Sequence, residues 1–564
     1  MKILLVGINA KYIHSNLAIR YLQRYLENST AYHAEIAEYT INHRIDTIMR
    51  EIYEQAPALI GFSCYIWNFE YVKELTVELK KLLPDAVFVW GGPEVSYQSE
   101  QYIGNDADYI ICGEGEQTFA ELVHRLESGQ VPEKRVLYGE PVEMDTIPFV
   151  YDDLADLKNR IIYYESSRGC PFQCQYCLSS IEKRVHFHSM ERTLSDLDFF
   201  LAHRVMQVKF VDRTFNCDKK RTKELWRYLL AHDNGVTNFH FEIAGELIDE
   251  ECLTLLSQAR KGFFQLEIGV QSVNPLTLRE IRRETDMEQL FAVVRRIKEM
   301  GNIHIHLDLI AGLPYEDIES FAHSFNTVYA LGPHQLQLGF LKVLKGSGIC
   351  QKQAEYGIVH TDKPPYEVLY TNWLSYDDVL RLKLVEDMVE RYYNSNRYKL
   401  SCNYLCSLFD SPFAFFDALG HYYKENKFHL EAVSEIDSYT VLYEFLNTLG
   451  RGDLEKFKWL AKYDLYSHKK AKKWPEWMNN DLVLQYKQQI RHFYEREENR
   501  ICFFPQYPET DPRQLSNLLH LEIFPFDPVS GESQRTACLF CYRNCDILGN
   551  AETVIIPIDI LTDY

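Results

Sequence analysis

The sequence predicts an α/β fold class in three parts: a doubly wound parallel sheet, then a partial (β/α)6 barrel, then a mostly helical C-terminal domain. Two observations carry the first two parts. Short apolar runs alternate with stretches of helical period over residues 1–130, and the alternation starts afresh over residues 159–365. A third observation carries the last part: beyond residue 365 the helical period dominates and aromatic residues are frequent. At 564 residues, with 46% hydrophobic and 25% charged residues, the chain has room for several well-cored domains.

In the first domain, residues 1–130, strands are expected at 2–8, 35–39, 58–63, 86–90 and 109–112, with helices at 17–26 and 69–83. The opening MKILLVGINA reads as a buried first strand rather than a signal peptide, because its apolar run is short and turns polar at once. Doubly wound sheets bind ligands at the carboxyl ends of their strands. Gly7 and Asn9, Ser63, Gly91, Gly92 and Pro93, and Gly113, Glu114, Gly115 and Glu116 fall there. No G-x-G-x-x-G follows the first strand, so a dinucleotide site is not supported. Residues 131–158, with Gly139, Pro141 and Pro148, read as a linker.

The second domain, residues 159–365, has expected strands at 161–165, 205–211, 238–243, 264–270, 303–310 and 335–343. Helices are expected at 193–201, 219–231, 251–260, 287–300 and 318–331. In such barrels the functional groups gather at the carboxyl ends of the strands. The first strand runs into ESSRGCPFQCQYCLS, which places Cys170, Cys174 and Cys177 in the spacing C-x3-C-x2-C. Three soft thiolates can hold three corners of a cubane [4Fe–4S] cluster and leave one iron open. The other readings are a zinc site completed by His186 or His188, and buried thiols.

The C-x3-C-x2-C stretch, with Tyr176 before its last cysteine, resembles the radical S-adenosylmethionine (SAM) superfamily. The resemblance implies that the open iron chelates SAM, and it assigns the strand ends in order. Asp212, in VDRTFN, is expected at the SAM amino group and Glu242 at the ribose. Gln271 and Ser272, in GVQS, are expected in the SAM or substrate pocket. Gly312 and Pro314, in DLIAGLP, are expected on the adenine side, with Asp308 facing the cavity and Glu267 ion-paired. The first domain is similar to the Rossmann-like cobalamin-binding domain found upstream of many such modules. GFS at 61–63, GGP at 91–93 and CGEGE at 112–116 carry that likeness. The D-x-H-x-x-G motif is absent, so cobalamin is expected to bind without a protein histidine on cobalt; His14 and His43 stand in other settings. The alternative is a flavodoxin-like domain that binds nothing.

Residues 366–564 look like the uncharacterised helical domain carried by a subset of cobalamin-dependent radical SAM proteins, with helices expected at 377–393, 412–423, 439–449, 454–460 and 481–500. Within it, KYDLYSHKKAKKWPEW at 462–477 interleaves lysines with aromatics, which can grip nucleic acid or simply be a solvated helix end. Cys538, Cys541 and Cys545 suggest a second iron–sulfur cluster or zinc, or else a cysteine-rich strand pair, with Cys402 and Cys406 as further candidates.

The net charge of −21 argues against broad nonspecific nucleic-acid binding. No apolar run reaches the length of a membrane span, and fourteen cysteines without a secretory signal fit a reducing cytoplasm. The function the resemblance implies is a methyltransferase acting on an unactivated carbon through a 5′-deoxyadenosyl radical and methylcobalamin, fed by a flavodoxin- or ferredoxin-type donor. The alternatives are a radical SAM enzyme acting on tRNA or other RNA, a radical rearrangement or cyclisation, and a non-enzymatic cobalamin or redox sensor. The substrate and the oligomeric state are not legible.

Overall fold

The computed structural model describes residues 1–104, 106–181, 184–430, 432–479, 481–505, 507, 510–511, 514–515 and 518–562. It falls into two compact units. One comprises Met1–Ile303, Gly312–Asp317 and Phe340–Ser375, and the other His304–Ala311, Ile318–Gly339 and Tyr376–Tyr564.

The first unit begins with β1 (Ile3–Asn9), α1 (Leu17–Ser29), β2 (Ala34–Thr40), α2 (Ile45–Gln55), β3 (Leu59–Ser63), α3 (Phe69–Leu82), β4 (Val87–Gly91), β5 (Tyr109–Gly113), α4 (Glu116–Glu127) and β6 (Val136–Gly139). The strands form one sheet in the order β2-β1-β3-β4-β5-β6, with every pair parallel. Side chains of a strand alternate between faces. Leu4, Val6 and Ile8 of β1 therefore join one core and Ile3 and Leu5 the other. Each such side chain, fully buried, contributes about 1.5–3 kcal/mol. The strand order reverses between β1 and β3, which places a crevice at the carboxyl ends of those two strands. The stretch read as a linker supplies β6, so the sheet has one strand more than expected; α2 was also not anticipated.

The unit continues with β7 (Ile162–Tyr164) and the short antiparallel pair β8 (Ser167–Arg168) and β9 (His186–Phe187). There follow α5 (Met190–Ala202), β10 (Gln207–Phe210), α6 (Lys219–Ala231), β11 (Asn238–Ile243), α7 (Glu250–Ser257), β12 (Phe264–Gln271), α8 (Pro275–Glu280) and α9 (Met287–Met300). Strands β7, β10, β11 and β12 lie parallel in that order. The helices start sharply because Ser189, Asp218, Asp249, Asn274 and Asp286 cap α5 to α9 with their side chains. Phe241 and Phe264 face the helices, where they meet Phe215 and Trp226. The opposite face of the sheet is left to polar residues.

The second unit holds the neighbouring strands β13 (His304–Ala311) and β14 (Gln335–Phe340) with α10 (Ile318–Tyr329). Helices α11 (Tyr376–Met388), α12 (Lys399–Cys406), α13 (Pro412–Glu425), α14 (Glu435–Thr448) and α15 (Leu454–His468) follow, with shorter helices at Asp481–Gln485, Lys487–Glu495 and Glu497–Phe503. The unit also contains an antiparallel sheet of β15 (Leu519–Phe524), β16 (Thr536–Cys545) and β17 (Ala551–Pro557).

Two sequence readings in this unit need correction. Cys538 and Cys541 do not share a metal site. They lie three residues apart on β16, so the strand sends them to opposite faces, and they join different cores while Cys545 is exposed. The lysine–aromatic stretch is largely spent on structure. Lys462 is buried with its ammonium 3.3 Å from buried Glu522, Lys469 pairs with Glu435 at 2.8 Å, and Trp477 stacks on Tyr443. Among the described residues, no helix is long and apolar enough to cross a membrane.

Candidate active site

The loop that carries Cys170, Cys174 and Cys177 leaves the end of β7 and is pinned at several points. At its entrance Asp212, just past β10, accepts from the Ser166 amide (2.7 Å), the Ser166 hydroxyl (2.5 Å) and the Ser167 amide (2.9 Å). Burial pushes the Asp212 carboxyl up to about 6. The aspartate expected to meet the SAM amine is thus committed to holding the loop's first turn. Farther on, the Gln175 amide donates to the Ile281 carbonyl (2.9 Å), its side chain donates to the Glu280 carbonyl (2.5 Å), and its own carbonyl accepts from Ile349 (3.0 Å).

The sulfurs face donors. Arg283 Nη1 lies 3.8 Å from Cys174 Sγ and 3.4 Å from Tyr176 Oη, while Nη2 of the same guanidinium donates to the Gly269 carbonyl. The Thr214 hydroxyl is 3.4 Å from Cys170 Sγ. Burial pushes the Cys174 thiol up and Arg283 pulls it back. Cys170, Cys174 and Cys177 are free thiols, and the first and last are partly exposed. Three soft ligands on a pre-pinned loop, with a cation and a hydroxyl set against the sulfurs, fit a cluster that needs its thiolates ionised. His188, considered as a zinc ligand, is instead buried with Nδ1 3.2 Å from Asp145.

The sheet face opposite the helices carries a charged row. Lys209 Nζ lies 3.0 Å from Glu267 and 3.8 Å from Glu242, and His240 Nε2 lies 3.0 Å from Glu267. Glu242 and Glu267 stand in register on β11 and β12, yet their environments divide them. Burial opposes ionisation of Glu267, but His240 and Lys209 hold it down at about 2. Burial, reinforced by the charge of Glu267, raises Glu242. Gln271, at the end of β12, has a buried Oε1 that finds no donor among the described residues. That orphaned acceptor fits a pocket whose ligand brings N–H or O–H groups. The Ser272 hydroxyl donates to Glu316 (2.6 Å), and the Pro314 carbonyl, two residues past Gly312, accepts from Thr277 (2.9 Å). Asp308 lies on β13, in the second unit.

At the carboxyl ends of the first sheet the expected contacts divide in two. Asn9 is buried and donates to the His14 carbonyl (3.2 Å), and Ser63 accepts from Asn16 (2.8 Å). Glu114 and Glu116 are engaged by Arg168 of the cysteine loop at 2.9 and 2.6 Å. These four brace the loops rather than present free groups. Gly91, Gly92, Pro93, Gly113 and Gly115 remain accessible. Gly92 has φ +112°, and a Cβ there would stand 2.6 Å from the Cys64 carbonyl, so only glycine lets the two loops touch. Beside them Tyr65 and Trp67 stack with centroids 4.4 Å apart, and Trp67, Tyr12 and Ile13 are exposed at 44%, 65% and 45%. Exposed apolar surface framed by accessible backbone fits a flat macrocycle with amide arms. His14 Nδ1 is bonded to the Tyr163 hydroxyl (2.6 Å), and His43 Nδ1 accepts from the Thr40 amide (3.1 Å).

Sequence reasoning missed Arg168, Glu165, Arg283 and the pair Glu94–Lys345. Arg168 and Glu165 were visible as charges inside the cysteine stretch, and their i,i+3 spacing at a strand exit was the available signal. Arg283 reaches Cys174 from 109 positions away, and no local pattern announces it.

Comparison with known proteins matches the architecture. The B12 binding domain family matches residues 3–123, the Radical SAM superfamily residues 164–328, and a protein family of unknown function, DUF4080, residues 354–540. An uncharacterized methyltransferase of Pyrococcus horikoshii is 25% identical over 364 residues, covering 58% of this chain and 74% of the relative. The cobalamin-dependent radical SAM methyltransferase TokK of Streptomyces tokunonensis is 23% identical over 364 residues, 55% of this chain and 51% of its own. The solved structure of the cobalamin-dependent SAM radical enzyme OxsB, with aqua-cobalamin and SAM bound, superposes with a TM-score of 0.55 at 15% identity. It covers 82% of this chain and 79% of that one.

Proposed function

We propose that this chain, which belongs to the radical SAM enzymes that carry a B12 binding domain, is a cobalamin-dependent radical SAM methyltransferase acting on an unactivated carbon. The observation that carries the reading is the pinned Cys170–Cys174–Cys177 loop, joined through Arg168 to the strand-end loops of the B12 binding domain. The two relatives compared above are named as methyltransferases.

Cys170, Cys174 and Cys177 would hold a [4Fe–4S] cluster, Gln271 and Glu242 would face SAM, and the backbone of Gly91, Gly92, Gly113 and Gly115 with the Tyr65–Trp67 pair would face cobalamin. When bound, these groups supply a 5′-deoxyadenosyl radical and a transferable methyl group. The chain's part is placement and proton control. Asp212 and Gln175 hold the cysteine loop in place, which lowers the ordering cost of binding a cluster. Arg283 offsets sulfur charge beside Cys174. Burial, reinforced by the charge of Glu267 held between Lys209 and His240, raises the Glu242 carboxyl above the usual carboxylate range. The chain takes electrons from a flavodoxin- or ferredoxin-type donor in a reducing, cytoplasmic setting.

Anaerobic incubation of the reconstituted chain with SAM and a strong reductant tests this. The expected result is both 5′-deoxyadenosine, from radical cleavage, and S-adenosylhomocysteine, from methylation of reduced cobalamin. The first product without the second would leave a radical enzyme of another outcome, such as cyclisation. Neither product, with or without candidate substrates, would reject the enzyme reading.

A further inference from the structure

Arg168 occupies a buried polar junction in the first unit, and the assignments above give it no partner in chemistry. Its guanidinium has five N–H groups, and four are used. Nε donates to Glu165 (2.9 Å), Nη1 to Glu114 (2.9 Å) and Glu116 (3.3 Å), and Nη2 to Glu116 (2.6 Å). The side chain is 14% exposed and the three carboxylates between 6% and 18%. The face of the guanidinium lies 5.7 Å from the Tyr21 ring. A buried planar fork satisfied in this way fixes both distance and orientation, which a point charge does not.

The two ends of this junction belong to different binding elements. Glu114 sits on the turn between β5 and α4 and Glu116 is the first residue of α4, beside backbone expected to meet the corrin. Arg168 stands two positions before Cys170 and follows the turn that Asp212 secures. The packing at the carboxylate end is specific. Glu114 also accepts from the Val142 amide (3.0 Å), and a Cβ at Gly139 would fall 1.7 Å from the Glu114 carbonyl. Glu116 opens α4, where the helix dipole favours a negative charge. A second tie lies elsewhere on the same sheet. Buried Glu94, after β4, takes Lys345 at 3.1 Å and the Tyr366 hydroxyl, and Lys345 also meets the Tyr102 hydroxyl at 2.7 Å.

We infer that Arg168 is a positioning residue that locks the β5–α4 turn to the cysteine loop, so that the cobalamin-side and cluster-side elements move as one body. The inference rests on the function proposed above for what the two elements hold. It gives one guanidinium a direct part in fixing the separation of the two cofactors, beside the Glu94–Lys345 tie.

The test uses the full chain reconstituted anaerobically with iron, sulfide and hydroxocobalamin, as wild type, Arg168→Gln and Arg168→Lys. Iron and cobalamin content, hydrogen exchange of segments 113–116 and 165–170, and the dipolar interaction between the reduced cluster and cob(II)alamin are measured on the same samples. In both variants, exchange is expected to rise about tenfold or more in the two segments together, and the cluster–cobalt distance distribution to broaden at unchanged cofactor content. Exchange that rises around residue 168 alone, or a distance distribution identical to wild type, would overturn the inference. Should Arg168→Gln fail to fold, Glu114→Ala with Glu116→Ala removes the Arg168–Glu114 and Arg168–Glu116 bonds from the other end, and the same two results decide. Wild type that takes up no cobalamin would reject the proposed function, while the exchange result would still decide whether the clamp exists.

Discussion

Cys170, Cys174 and Cys177 lie on a loop, whereas Cys538, Cys541 and Cys545 lie on strand β16. In one-dimensional spacing the two triplets are near mirror images. On the loop the backbone is held by Asp212 and Gln175, and no strand pleat forces neighbouring cysteines to opposite faces. On the strand, side-chain alternation sends Cys538 into one core and Cys541 into another, and burial raises the Cys538 thiol far from an ionised ligand. Spacing proposes a metal site; the backbone that carries the spacing disposes of it.

The comparison is broken most severely by moving iron. Replacing Cys170, Cys174 and Cys177 together by alanine is expected to abolish iron uptake, measured by chemical iron analysis after reconstitution. Replacing Cys538, Cys541 and Cys545 is expected to leave it at the wild-type level, and iron lost from the second variant would refute the strand argument.

Next in size is the pair Lys462–Glu522, which occupies the same C-terminal fold as the strand cysteines. Removing the ammonium by Lys462→Met leaves the buried Glu522 carboxylate, among the described residues, with only His520 and the Ile523 amide, and is expected to cost about 3–5 kcal/mol in chemical denaturation. A loss below about 1 kcal/mol would mean that the ion pair contributes little beyond surface pairs.

Two buried aspartates sharpen the contrast further, because both units use one device. Asp464 accepts from the Leu400 amide, the Ser401 amide and the Ser401 hydroxyl, as Asp212 does from Ser166 and Ser167. Asp212→Asn is expected to lower cluster occupancy severalfold, whereas Asp464→Asn is expected to leave iron unchanged. Burial raises Asp464 from 3.8 to about 7. In the window between those values the unfolded chain loses the proton first, so this group lowers stability as pH rises from about 4 to 7. In thermal melts, wild type should therefore lose stability relative to Asp464→Asn on going from pH 5 to pH 8. An identical pH difference in the two proteins would rule out this titration.

The smallest expected effect is that of Cys538→Ala or Cys541→Ala singly. Each removes one core sulfur and is expected to cost about 1 kcal/mol, as small core truncations do. A stabilising change would show that the site is overpacked.

Much of this molecule was legible in its sequence where a physical period was long enough to read. Five of the six strands of the first sheet and the alternation of β10, β11 and β12 follow from apolar runs that are buried on one or both faces. β6 was not legible, because its four residues are half exposed and its neighbours carry glycine and proline. The C-terminal sheet was legible only as the cysteine-rich strand pair weighed against a metal site, because helical stretches precede it. For the site, the cysteine loop was visible because its spacing is local. The partners of Asp212, Glu114 and Glu116 were not, since each bond joins strand ends that only the folded sheet brings together.

The most direct measurement is electron paramagnetic resonance of the chain reconstituted anaerobically with iron, sulfide and hydroxocobalamin, then reduced, with and without SAM. The predicted result is about four irons per chain, a reduced-cluster signal that changes when SAM is added, and a cob(II)alamin signal from protein-bound cobalamin. A cluster signal indifferent to SAM, or cobalamin that washes off the folded chain, would contradict the claim that one loop and one sheet edge hold both cofactors.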